Sequence, residues 1–228
     1  TVNKEALIQS SALPARINST GSTLNIVDQA DLKLNGKSLS ALPLADGTPL
    51  TSAAVVSWLN SNISTHGLAL VAKAENVIDI SRKDIDLNAS SLSINETDIS
   101  LPSPMSSLVD LANAINQSTS DTNVEAVIGV NNSLRLQNTA GNEAASIEFD
   151  SPASVFKSLT GEVRAAIKIE ATRTGGDSSQ KEVALTLSSQ GTSSDLAALG
   201  FSSSLYIDDT LSEDLIVFAT GATSASAT

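Results

Sequence analysis

Few side chains in this 228-residue sequence carry the chemistry of a catalytic site. The one histidine, His66, lies in the stretch STHGL, where the flanking threonine and glycine favour an exposed turn. Nucleophilic catalysis needs a base that a carboxylate orients beside a nucleophile, and a lone histidine on a loop supplies only the base. Cysteine is absent, which excludes a thiol nucleophile and thiolate metal ligands. We therefore expect no catalytic residue and no enzyme.

Two loops are candidates for ligand binding. Asp208-Asp209 and Glu213-Asp214 frame the turn DDTLSED, and carboxylates in a loop can bind calcium, but the EF-hand spacing is missing. A solvated turn that keeps an edge strand from pairing is the simpler interpretation. The stretch Arg173 to Asp177 (RTGGD) invites comparison with integrin-type loops, but a hairpin turn explains it better. Phosphate-binding glycine signatures are missing as well, so we expect no metal and no cofactor.

The charge of the chain bears on its partners. A net charge of −12 would repel a phosphate backbone, and the 13 Lys and Arg residues are scattered rather than clustered. No apolar run approaches the roughly 20 residues that cross a bilayer. The expected partners therefore exclude nucleic acid and membrane.

The periodicity of the apolar residues predicts small α+β modules. In residues 23–82, two short alternating stretches precede an amphipathic helix on which Leu50, Ala54, Val55, Trp58 and Leu59 share a face, with Thr51 as N-cap. The alternating stretches GLALVA and NVIDI follow. Residues 83–150 repeat this order: SLSINETDI aligns with DLKLNGKSL 60 residues earlier, and the helix MSSLVDLANAIN aligns at an offset of 56.

The predicted fold is therefore α+β, with two tandem ββαββ modules and a third, diverged β-rich segment. The predicted limits are an N-terminal segment (1–22), the two modules (23–82 and 83–150), the third segment (151–221) and a linker (222–228). The third segment is either a diverged module or a set of strands that complete the first two. Its stretch FDSPASVFKSLTG predicts a short helix capped by Ser151.

The residues of this pattern resemble the flagellin hook IN motif. The second module has Leu92-Ser93-Ile94-Asn95, a helix ending in Ala114-Ile115-Asn116, and the strand stretch Asn132 to Leu136. The first module matches more weakly, through Leu32 to Gly36 and Trp58 to Asn60. Together the motif positions are Leu34, Asn35, Gly36, Leu59, Asn60, Ile94, Asn95, Ile115, Asn116, Leu134 and Leu136.

The second module departs from the family pattern at one turn position. The family usually has glycine after the motif asparagine, and the chain has Gly36 in the first module but Glu96 in the second. A non-glycine residue with φ > 0 costs on the order of 1 kcal/mol. We therefore expect the second turn to differ in type from the first.

The resemblance implies a structural role. The motif is similar to those in outer domains of bacterial flagellins, hook-associated proteins and filament caps, so the chain is expected to be an outer domain of a secreted flagellar axial protein. The location would be extracellular, in the bacterial flagellum, and the partners would be other subunits of the filament or hook. Flagellin, hook junction and cap are not separated by these residues.

Two other classes stay open from the residues alone. An extracellular adhesin or carbohydrate-binding module has a similar polar, β-rich composition, but it needs several exposed aromatics and only 3% of the residues are aromatic. A hydrolase or lyase would need a carboxylate pair with displaced pKa values, which spacing does not reveal.

Overall fold

The computed structural model describes residues 7–12, 23–45, 48–150, 155–157, 159–172, 183–201 and 216–217. These residues form a mixed α+β structure of four α-helices and small sheets, which confirms the predicted class. The chain divides into unit 1, residues 1–74 and 166–228, and unit 2, residues 75–165. Unit 1 is therefore built from two stretches of chain separated by unit 2.

The elements are short and follow in chain order. Before residue 76 they are β1 (Leu7–Ala12), β2 (Thr23–Val27), β3 (Leu32–Leu34), β4 (Lys37–Ser38), β5 (Leu42–Ala45), α1 (Ser52–Thr65) and β6 (Leu70–Glu75). Unit 2 contains β7 (Val77–Ile80), β8 (Ser93–Ile94), β9 (Thr97–Asp98), α2 (Leu108–Gln117), α3 (Thr119–Thr122), β10 (Val124–Ile128), β11 (Leu134–Asn138), β12 (Ile147–Asp150) and β13 (Gly161–Val163). The chain then continues with β14 (Ala166–Ala171), β15 (Leu185–Leu187), α4 (Ser193–Ala198) and β16 (Ile216–Val217).

Unit 1 has two sheets of three and four strands and a further sheet of two strands. One sheet has the strand order β1-β14-β6, the other has the order β16-β15-β3-β4, and β2 pairs with β5. Helix α1 packs on β14, and its fully buried Val55 and Leu59 join a core that includes Ile167 and Ile169 of that strand. The Thr51 hydroxyl accepts from Ala54 N–H at 3.2 Å, which confirms the predicted N-cap. The apolar face of α1 thus covers one face of the sheet.

Unit 2 also has one sheet of three strands and one of four strands. One sheet has the order β10-β11-β7 and the other has the order β13-β12-β8-β9. Helix α2 packs on β10, and it begins with a capping box in which Ser107 and Asp110 bond reciprocally to each other's backbone N–H. The core contains the rings of Phe149 and Phe156, which meet edge to face at 5.7 Å. Each unit therefore has its own apolar core.

Several segments lie elsewhere than the sequence predicts. The stretch NVIDI was expected to close the first module, but its strand β7 pairs in unit 2 with β11, where Ile78 faces Leu136. In the predicted helix near residue 151, the described residues form strand β12 and an isolated bridge between Phe156 and Ile85, while Ser151 lies outside the described residues. Phe149 and Phe156 are both buried in the core of unit 2.

The described strands after residue 165 belong to unit 1. Strand β14 pairs with β1, and β15 pairs with β3, where Leu185 faces Leu34. Of the two alternatives that the sequence left open, these strands complete an earlier unit. The domain limits 23–82, 83–150 and 151–221 stay a prediction. None of the helices in the described ranges has the length and hydrophobicity of a membrane span.

A carboxylate between two lysines joins strands β6 and β14. Glu170 Oε2 lies 3.0 Å from Lys73 Nζ, and its Oε1 lies 2.6 Å from Lys168 Nζ. Hydrogen bonds from Lys168 and from Lys73 lower the pKa of Glu170 below its ordinary value.

Replacing Glu170 by glutamine is expected to lower the free energy of unfolding at pH 7 by a few tenths to about 1 kcal/mol. Because the pKa of Glu170 is lower in the folded protein, its stabilisation is present above the unfolded pKa and is lost as the pH falls through the folded pKa. Urea unfolding of protein and variant at pH 7 and about pH 3 measures this, since the difference between the two curves should be smaller at the lower pH. A difference that is the same at both pH values would contradict the assigned ion pair.

Candidate functional site

The residues considered for chemistry do not assemble a reactive centre in the described structure. His66 caps the C-terminus of α1, and its Nε2 lies 2.8 Å from the carbonyl oxygen of Ser38. Among the described residues, no cluster of three or more His, Cys, Asp or Glu side chains could hold a metal ion. Asp208, Asp209, Glu213 and Asp214, together with the loop 173–177, lie outside the described residues.

Residues of unit 2 line a shallow pocket of about 280 Å³. Its lining is polar and acidic, whereas small-molecule pockets are mostly apolar. Hydrogen bonds from the backbone N–H groups of Gly141 and Glu143 lower the pKa of the Glu143 carboxyl, so this group is ionised rather than poised as a general acid. The lining residues are Glu75, Asn76, Val77, Glu125, Gln137, Asn138, Ala140 and Glu143.

The motif asparagines of the two hairpin turns have the same hydrogen bonds in both units. In unit 1, Asn35 N–H donates to the Ala184 carbonyl at 2.8 Å, and Asn35 Oδ1 accepts from Ala184 N–H at 2.7 Å. In unit 2, Asn95 N–H donates to the Glu148 carbonyl at 2.9 Å, and Asn95 Oδ1 accepts from Glu148 N–H at 2.7 Å. Each asparagine therefore fastens its hairpin turn to the next strand of the sheet.

The asparagines near the ends of the two helices also have matching partners. Asn60 Nδ2 donates to the Ala72 carbonyl at 2.9 Å and Asn60 Oδ1 accepts from Ala72 N–H at 2.9 Å. Asn116 binds Ala126 in the same way, at 2.9 and 2.7 Å. One amide side chain thus satisfies both backbone groups of a strand residue, and it ties the helix to β6 in unit 1 and to β10 in unit 2.

The apolar motif residues are core residues. Their side chains are fully buried, which gives them no part in a surface contact, and they form the apolar base on which the asparagine side chains are held. Each unit contains its own members within its own core. These residues, each with 0% exposure, are Leu34, Leu59, Ile94, Ile115, Leu134 and Leu136.

The two hairpin turns are of the same type, whereas the sequence predicted that they differ. Asn35 and Gly36 have φ of 47° and 73°, and Asn95 and Glu96 have φ of 50° and 63°. Both central residues of each turn are left-handed, as type I′ hairpins require. Glu96 takes this conformation although it has a Cβ, because the strands and the Asn95 bonds fix the turn.

Replacing Glu96 by glycine is therefore expected to raise the free energy of unfolding by about 0.5–1 kcal/mol. The matched change Gly36→Ala should lower it by about 1 kcal/mol, since a Cβ there meets no atom within 4 Å and only backbone strain is added. Chemical denaturation measures both shifts. A loss of stability in the Glu96→Gly variant would show that the glutamate side chain stabilises the turn by more than its backbone costs.

Sequence comparison supplies independent information on unit 2. Residues 78–140 match the family model described as the flagellin hook IN motif. No curated protein matches the chain at a significant level. The matched range contains the Asn95 turn, the Asn116 helix end and strand β10, which Asn116 binds, whereas Glu148, the partner of Asn95, follows the range. Residues 78–140 of this chain are thus similar to the flagellin hook IN motif.

Proposed function

We propose that this chain is an outer structural domain of a secreted bacterial flagellar axial protein, located outside the cell in the flagellum. The observation that carries the proposal is the IN motif of residues 78–140, whose asparagines hold a helix, a hairpin and a strand together. A motif whose polar residues bond to the chain itself acts by shaping a rigid module. The function is then subunit packing and surface display, with other filament or hook subunits as partners.

The two asparagine pairs support an internal duplication of this module. The sheet orders β6-β14-β1 and β10-β11-β7 correspond strand by strand, as do β16-β15-β3-β4 and β13-β12-β8-β9. In this correspondence, residues 76–165 lie between β6 and β14, where unit 2 has only the short link from Gly129 to Ser133 between β10 and β11. We therefore infer a nested copy rather than two tandem modules.

The exterior of unit 2 suits a domain that faces solvent. Asp79 and Arg135 form a two-pronged ion pair across β7 and β11, with N–O distances of 2.9 and 3.0 Å, on a face where both side chains are about half exposed. An exposed pair of this kind adds little stability and keeps the sheet face soluble. The absence of cysteine from the sequence also suits the unfolded passage through a narrow export channel that the family resemblance implies.

Immunogold electron microscopy with antibodies against the chain tests this role on cells that express the parent gene. Gold along the filament would identify a flagellin, whereas gold at the filament base or tip would identify a hook-junction or a cap protein. Antibody adsorbed with the purified chain is the control. Labelling of the cell body in cells without flagella would contradict the flagellar role.

The adhesin alternative finds no exposed aromatic platform in the described structure. The four described Trp and Phe residues are buried, and the Trp58 indole donates its N–H to the Ser40 carbonyl at 3.2 Å. Carbohydrate modules instead present aromatic faces to solvent. Glycan-array binding with micromolar affinity would nevertheless favour the adhesin over the flagellar role.

A further inference from the structure

Strand β10 lies at the edge of its sheet, but side chains already occupy its hydrogen-bonding edge. The Asn116 amide binds both the N–H and the carbonyl of Ala126. Two residues earlier, the Thr122 hydroxyl accepts from Val124 N–H at 3.1 Å and the Thr119 hydroxyl donates to its carbonyl at 3.0 Å. In an unprotected edge strand, these alternate groups would be the ones that bind another strand.

We propose that β10 is a strand-pairing edge that Asn116, Thr119 and Thr122 keep closed, and that its partner, once opened, is a second copy of this chain. The proposal concerns self-association and holds whatever the role of the chain in the flagellum. It assigns to Asn116 a second effect beyond holding α2 against β10: it prevents the subunit from joining a neighbour through its sheet.

The sequence of β10 is self-complementary in an antiparallel pair. With two copies of Ala126 opposite each other, Val124 faces Ile128 of the second copy and Glu125 faces Val127. No like charges are opposed, and the apolar residues meet on one face. The segment VEAVI is rich in β-branched residues, has one charge and has no proline, which favours pairing between chains. A two-fold symmetric dimer would result.

Strand β6 provides the matched edge in unit 1. Asn60 closes it at Ala72 with the same two bonds, but the next residue is Lys73, whose side chain is largely exposed and pairs with Glu170. A lysine on an edge strand opposes pairing with another chain. Opening β6 should therefore cost stability without causing association.

The experiment compares Asn116→Ala with Asn60→Ala in the full chain, using sedimentation velocity over a wide range of protein concentration. We expect Asn116→Ala to associate with a dissociation constant about tenfold or more below that of the unsubstituted protein. Asn60→Ala should match the unsubstituted protein. Thr119→Val opens the same edge more mildly, so it answers the question if Asn116→Ala fails to fold, and it should associate more weakly.

Charge at residue 127 tests the predicted pairing. Val127 is 48% exposed, so a polar residue is tolerated there. In the Asn116→Ala background, Val127→Glu would place two glutamates opposite each other at both ends of the pair and should abolish association, whereas Val127→Lys should strengthen it. Unchanged mass in both Asn116→Ala and Thr119→Val would overturn the proposal. So would equal association of Asn60→Ala, or equal behaviour of the two Val127 variants.

Discussion

Replacing Ile115 by alanine is expected to lower the free energy of unfolding by about 2–5 kcal/mol. Ile115 is fully buried, and it lies on the face of α2 that packs on β10. The shorter side chain loses its transfer free energy and leaves a cavity that the surrounding aliphatic core fills only in part. Because typical domains have 5–15 kcal/mol of stability, this change removes a large share of it.

Val109 on the same helix is the matched control. Its side chain is 54% exposed, so Val109→Ala should alter the free energy of unfolding by no more than about 0.5 kcal/mol. Leu59 on α1 of unit 1 is also fully buried, so Leu59→Ala should lower the free energy of unfolding as much as Ile115→Ala does. Urea unfolding followed by circular dichroism measures all three. Similar small losses for Ile115→Ala and Val109→Ala would mean that α2 does not cover the core.

The elements that the sequence predicts well are those whose pattern is local. The buried residues of α1 and α2 recur at helical spacing, and Asn35-Gly36 is a strong hairpin signal. The family resemblance identifies the motif asparagines, but it does not predict their hydrogen-bond partners. The Ala184 partner of Asn35 lies 149 residues away, and no local pattern records such a contact.

Most differences between the predicted and the observed fold arise from strands that pair with distant segments of the chain. Strand β1 lies in residues 1–22, for which the sequence predicted no strand, and it is fixed by β14 from the far end of unit 1. Strand β7 alternates like a closing strand of the first module, and the same alternation is satisfied beside β11. Alternation specifies which face of a strand is buried but not which strand lies next to it.

The limits of unit 2 predict which fragment of the chain folds by itself. A fragment of residues 75–165 retains the edge strands β7 and β13 and is expected to fold with a cooperative unfolding transition. A fragment of residues 83–150, cut at the limits predicted from the sequence, lacks both strands. It also loses Asn76, whose Nδ2 donates to the Ala145 and Val163 carbonyls at 3.0 and 2.9 Å.

The shorter fragment lacks apolar side chains that are buried in the core of unit 2. Ile80, Val155 and Phe156 are each at most 4% exposed in the whole chain and are missing from it. At about 1.5–3 kcal/mol for each buried side chain, their removal costs about 5–9 kcal/mol, comparable with the entire stability of a small domain. Residues 83–150 should therefore show no cooperative transition and poor amide dispersion in NMR spectra. If this fragment folds as well as residues 75–165 do, β7 and β13 are attachments to the module rather than parts of it, and the nested arrangement loses its support.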